Sequence, residues 1–115
     1  MRECEIKREE RDNLDIVRLD GALDSHSFPR LESTLNGLRD GQRHRVILDC
    51  SGLEYISSAS LGALIGFARR AREHQGDLRL VNLSPKIYNI VELLGFHKIL
   101  EIHGNIDEAL AKFGE

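Results

Sequence analysis

Ser57, Ser58 and Ser60 place three hydroxyls within four residues, in the run Tyr55-Ile56-Ser57-Ser58-Ala59-Ser60-Leu61-Gly62-Ala63-Leu64-Ile65. The residues before them favour a strand and those after them a helix, so the cluster falls at a helix start. That position carries unpaired backbone N–H groups and the positive end of the helix dipole. A serine there can cap the first turn. It can also carry a phosphate, which the helix end tolerates. The residue types alone leave both roles open.

Little else in the chain could do chemistry on those hydroxyls. There is no phosphate-binding glycine loop, no metal-spaced histidine pair and no nucleophile elbow, and the five histidines are scattered. Ser58 has no evident local base, so a serine-dependent enzyme lacks its base and oxyanion arrangement. A phosphate on this cluster would have to come from another protein, and no cofactor is expected. Cys4 and Cys50 have no spacing partner for a disulfide framework or a zinc site. Cys50 falls in a buried run and reads as packing, whereas Cys4 on an edge is the thiol open to reaction.

The charges read as solvation. Arg39, Arg43, His44 and Arg45 make a basic patch in a turn. Arg69, Arg70 and Arg72 make the polar end of a helix, with contact to an acidic partner as the sharper alternative. A net charge of −3 argues against direct nucleic-acid binding. There is no apolar run of signal-peptide or transmembrane length and the two thiols are isolated. The expectation is therefore a cytoplasmic protein without membrane insertion. At 115 residues, one domain over 1–115 is expected.

The elements that must position the serines follow from periodicity. Glu3 to Glu9 alternates weakly, with Cys4 and Ile6 on one side, and reads as a charged edge strand. After a turn at Arg11-Asp12-Asn13, Leu14 to Leu19 carries apolar residues on both faces, which places it inside a sheet; the two strands form a hairpin. Gly21-Ala22-Leu23-Asp24 ends it. Ser27 is the expected cap of a helix with Pro29 in its first turn and Phe28, Leu31, Leu35 and Leu38 on one face. Arg45 to Cys50 is a buried strand, turned at Ser51-Gly52. Leu61, Leu64, Ile65, Ala68 and Ala71 give the second helix its buried stripe, and Ala59, Gly62, Ala63 and Gly66 are small enough to admit close packing. Leu78 to Leu83 is a strand. Ser84-Pro85 starts a third helix with Ile87, Ile90, Val91 and Leu94 inward. Phe96 to Ile102 contains a fifth strand, and Asn105 caps a last short helix docked by Ala109, Leu110 and Phe113. The order β-β-α-β-α-β-α-β-α predicts an α/β domain with a mixed, mostly parallel sheet and helices mainly on one face.

That order, together with Gly21-Ala22-Leu23-Asp24, Asp49-Cys50-Ser51 and Tyr55-Ile56-Ser57-Ser58-Ala59-Ser60-Leu61-Gly62, resembles the STAS domain family over nearly the whole chain. The branch it looks most like is the bacterial anti-sigma factor antagonists. The resemblance implies that Ser58 is phosphorylated by a partner serine kinase that is also the anti-sigma factor, and that a serine phosphatase reverses this. It also implies that Asp24 lies beside that serine, either orienting or repelling the group on it or capping its own loop. The implied partner surface comprises Asp24, Ser57, Ser58, Ser60 and Leu61, in a non-catalytic stress-response regulator. A second reading keeps the fold as a scaffold or subunit of a lipid-transport or stress-sensing complex. Ser60 stands where the family usually has glycine, which bears on how readily Ser58 is approached.

Overall fold

A computed structural model describes residues 2–113. In chain order the elements are β1 (Glu5–Glu10), β2 (Asp15–Leu23), α1 (Phe28–Asp40), β3 (Arg45–Ile56), α2 (Ser58–Glu73), β4 (Asp77–Val81), α3 (Pro85–Leu93), a 3-10 turn (Phe96–Lys98), β5 (Glu101–His103) and α4 (Ile106–Lys112). The strands lie in the order β1-β2-β3-β4-β5. Among the described residues only the β1–β2 pair is antiparallel; the other neighbouring strands are parallel.

Alternation along the strands divides the apolar residues between two faces. Val17, Leu19, Val46, Leu48, Leu78 and Leu80 point to one side. There they meet Leu31, Leu35 and Leu38 of α1, Leu61, Leu64 and Ala68 of α2, and Ile87 and Val91 of α3. Leu14, Ile16, Ile47 and Val81 point to the other side, where Ala109, Ile106, Leu110 and Phe113 cover them. Three helices thus share one face and α4 alone takes the opposite one. The unalternating run Val46-Ile47-Leu48 is apolar because both faces of β3 are covered there.

Several local expectations change. β3 does not turn at Ser51-Gly52; it runs unbroken over twelve residues and absorbs the irregularity as register shifts against β2, between Arg18 and Asp20 and between Gly21 and Ala22. A Cβ on Gly52 would lie 2.7 Å from an Asp20 carboxylate oxygen, so glycine is there for a close approach of two strands. β2 correspondingly continues through Leu23. Ser27 precedes α1 but makes no side-chain cap. Its hydroxyl instead donates to the Ala22 carbonyl at 2.8 Å and accepts from the Asp24 N–H at 3.1 Å. Leu94, expected inward, is the C-cap residue of α3 and is exposed together with Leu93. Cys4 is fully buried, and burial pushes its thiol up, away from the reactive thiolate. The caps expected at Ser84 and Asn105 are present, accepting from the N–H of Ile87 and of Glu108.

Candidate functional site

The serine cluster sits where β2 and β3 end side by side. Leu23 pairs with Ile56, and one residue later the Ser57 N–H donates to the Leu23 carbonyl at 2.9 Å. This bond continues the β2–β3 ladder to the first turn of α2. Ser57 has an extended backbone (φ −81°, ψ 157°), as an N-cap requires. Its hydroxyl accepts from the Ser60 N–H at 3.2 Å and donates to the Ser60 hydroxyl at 2.9 Å. The Leu61 N–H donates to the Ser57 carbonyl at 3.0 Å.

These bonds separate the three serines. Ser57 caps the helix. Ser60 is fully buried, with its hydroxyl turned to Ser57, and Leu61 is buried in the core beneath. Ser58 is exposed at the first position of α2, and its hydroxyl has no hydrogen-bond partner among the described residues. Two of the four N–H groups that every helix start leaves open are taken here, that of Ser57 by the Leu23 carbonyl and that of Ser60 by the Ser57 hydroxyl. Those of Ser58 and Ala59 have no acceptor among the described residues, so they remain available to an anion at this end.

Asp24 follows β2 at the same end of the sheet. One of its carboxylate oxygens accepts from the Ser27 N–H at 3.1 Å and the His26 N–H at 3.0 Å, and shares with the Ala22 carbonyl the single proton of the Ser27 hydroxyl, 3.0 Å away. The Ser27 backbone N–H, then its hydroxyl, hold the Asp24 carboxyl below its ordinary value, so it is ionised. This is an aspartate turn that closes its own loop, with the second oxygen left open. No hydrogen bond joins Asp24 to Ser58 among the described residues. His26 is exposed, with its ring 3.5 Å from Glu3.

The outward face of α2 continues from Ser58 through Gly62 and Gly66. A Cβ at either glycine would meet nothing within 4 Å, so among the described residues nothing of this chain packs closely on them. At the far end of α2, Arg72 is not simply solvated. It donates to Asp77 at 2.9 Å and to the Ile99 carbonyl at 2.8 Å, tying α2 to β4 and to the turn before β5. Arg43, read in the sequence as part of a solvated patch, donates to the fully buried Asp15 at 2.7 Å. Arg8 from β1 reaches the other oxygen of Asp15, also at 2.7 Å. Asp15 looks like an ordinary polar position of a strand, and nothing in the local pattern shows that two arginines converge on it. No helix among the described residues is long and apolar enough to cross a membrane.

A model of the STAS domain family matches residues 5–109. BtrV of Bordetella bronchiseptica, a candidate anti-sigma factor antagonist, is 34% identical over 102 residues, spanning 89% of this chain and 88% of its own. The solved structure of an anti-sigma factor antagonist from Mycobacterium paratuberculosis superposes with a TM-score of 0.87 at 20% identity, covering 97% of this chain and 95% of that one. The anti-sigma factor antagonist SpoIIAA in its unphosphorylated form superposes at 0.73, with 18% identity and coverage of 94% and 96%. The phosphorylated form of SpoIIAA, from Bacillus, superposes at 0.71, with 20% identity and coverage of 94% and 98%. At those identities the superpositions bear on the fold, whereas the family match extends over most of the sequence. By that match and by its five-stranded mixed sheet, the chain belongs to the STAS domain family.

Proposed function

We propose that this chain is an anti-sigma factor antagonist whose unphosphorylated form binds an anti-sigma factor serine kinase and so frees a sigma factor. Phosphorylation on Ser58 switches the binding off, and a serine phosphatase restores it. The observation that carries this reading is the division of labour at the start of α2: Ser57 holds the cap, which leaves the exposed Ser58 hydroxyl with no structural duty. The resemblance to BtrV, and to a protein solved in both phosphorylated and unphosphorylated forms, supports it.

The physics of such a switch is local. A phosphoserine adds about −1.5 to −2 charge. Two free N–H groups and the helix dipole accommodate that charge at the start of α2, so the fold need not change. A partner surface shaped for a neutral hydroxyl meets a dianion instead. Burying it without a counter-ion costs several kcal/mol, against about −8 kcal/mol for a micromolar complex. The ionised Asp24 adds negative charge at the same end of the sheet. The contact surface comprises Asp24, Ser57 and Ser58, with Ser60 and Leu61 supporting it from below.

The test is incubation with a candidate kinase from the same genome and ATP, followed by site mapping and binding measurements. The expected result is phosphate on Ser58 and, for Ser58→Asp, binding weakened by about a hundredfold, roughly 2.7 kcal/mol. Phosphate on Ser57 or Ser60, or undiminished binding by Ser58→Asp, overturns the proposal.

A further inference from the structure

At the opposite end of the sheet from Ser58, two histidines that look unrelated in the sequence stack face to face. His74 is the C-cap residue of α2 and His44 immediately precedes β3. Their ring centroids are 4.2 Å apart and the planes differ by 10°. The backbone around them is drawn equally close. The Asp77 N–H donates to the His44 carbonyl at 2.8 Å, and the Gly76 N–H donates to the Ala71 carbonyl at 2.8 Å. A Cβ on Gly76 would lie 1.9 Å from the His44 oxygen, so only glycine fits there. The nearby Gln42 and Gln75 both hold left-handed backbones, at φ 58° and 60°, conformations that cost a non-glycine residue free energy.

The charges facing this pair are mostly positive. From the end of α1 come Arg39 and Asp40, which pair with each other at 3.2 Å. From the turn before β3 and its first residue come Arg43, committed to Asp15, and Arg45, which donates to the Phe113 carbonyl. From α2 comes Arg70, and Asp77 of β4 is committed to Arg72 and Arg79. Of the nearby carboxylates, Asp77 is held by two arginines and Asp40 by Arg39 at the surface, while Glu73, next to His74 on α2, is exposed to solvent.

We propose that the stacked His44–His74 pair is an acid-sensitive latch that closes the C-terminal end of α2 onto the start of β3. When both rings are neutral, stacking costs nothing electrostatically and the latch is closed. Two protons would put two cations face to face beside Arg70 and Arg39, so acid favours the open form, in which each ring is solvated. Burial, then the charges of His74 and Arg70, push His44 below the ordinary imidazole value, in keeping with that sign.

The test is an NMR titration of both rings between about pH 8 and about pH 5. It is combined with amide-exchange protection, corrected for the intrinsic rate, at Gly76 and Asp77. In the parent, the His44 midpoint falls below the ordinary imidazole value. Protection at the two amides drops several-fold on acidification while that of Leu48 in β3 holds. His74→Phe keeps a flat ring in the stack and removes one charge; because His74 is exposed, the fold survives. In this variant the His44 midpoint rises and the acid-dependent loss of protection shrinks. Arg70→Gln raises the same midpoint without touching the stack. A His44 midpoint unchanged by His74→Phe, or constant protection at Gly76 and Asp77 across the range, overturns the proposal.

Discussion

The hydroxyls of Ser57 and Ser60 lie 2.9 Å apart, and the same Ser57 oxygen accepts the Ser60 N–H. This reciprocal pair caps α2 from outside and from beneath, and leaves Ser58 out. Ser57→Ala should therefore cost about 1 kcal/mol, the usual worth of a cap. Ser58→Ala should stay within about 0.5 kcal/mol of the parent, as an exposed substitution does. Urea denaturation of the two variants decides it. A larger loss at Ser58 than at Ser57 would reverse the assignment of the cap.

Ser60→Gly restores the residue usual in the family. It removes the hydroxyl that Ser57 donates to and places glycine in the first turn, so stability should fall by about 1–2 kcal/mol. Because Ser60 is fully buried, affinity for a kinase partner should change by no more than about 0.5 kcal/mol. Paired calorimetry of unfolding and of binding separates the two effects. A large gain in affinity would show that the buried hydroxyl distorts the surface above it.

Asp15 holds Arg8 and Arg43, each at 2.7 Å, while fully buried. Asp15→Ala leaves two partly buried guanidiniums facing each other. A loss of about 3–5 kcal/mol is expected, as for breaking a buried ion pair from one side. Chemical denaturation measures it directly. A loss below about 1 kcal/mol would mean that the pairs behave as exposed surface bridges.

Asp49 gives a pH dependence of defined sign. Burial pushes its carboxyl up, but hydrogen bonds from Asn82, Ser51 and Arg18 outweigh burial and hold it below its ordinary value. The unfolded chain therefore takes up this proton more readily than the folded one. The contribution is complete above the ordinary carboxylate value and is lost as pH falls through it toward the lower folded value. Denaturation curves from about pH 6 down to about pH 2.5 should show stability falling, with a shallower fall in Asp49→Asn. Equal slopes in parent and variant would remove Asp49 from the acid response.

What could be read from residue order follows one physical rule: neighbours in sequence are neighbours in a helix or a turn. The 3.6-residue spacing of Leu31, Leu35 and Leu38 or of Leu61, Leu64 and Ala68 announces which side is buried, and those residues are buried. The caps at Ser84 and Asn105 act over three residues and were equally legible. Ser27 shows the limit. Its position suits a cap, but its hydroxyl turns back into the preceding loop, where it donates to the Ala22 carbonyl and accepts from the Asp24 N–H. The turn expected at Ser51-Gly52 failed for a related reason. Serine and glycine bend a chain in isolation, yet here the neighbouring strand β2, through Asp20, comes so close that glycine serves the approach of two strands.

The serine cluster itself shows the division. Its place at a helix start was set by the sequence alone, because strand and helix preferences meet there, and the residue types left a cap and a phosphate site both open. Which serine caps, which is buried and which faces outward depended on the Leu23 carbonyl fixing Ser57 and on the core beneath Ser60. The pairings of Arg43 with Asp15 and of His44 with His74 likewise join residues about thirty apart. Only the sheet order and the close approach at Gly76 bring those groups together, since side-chain contacts across elements follow from packing in three dimensions and leave no periodic trace in the chain.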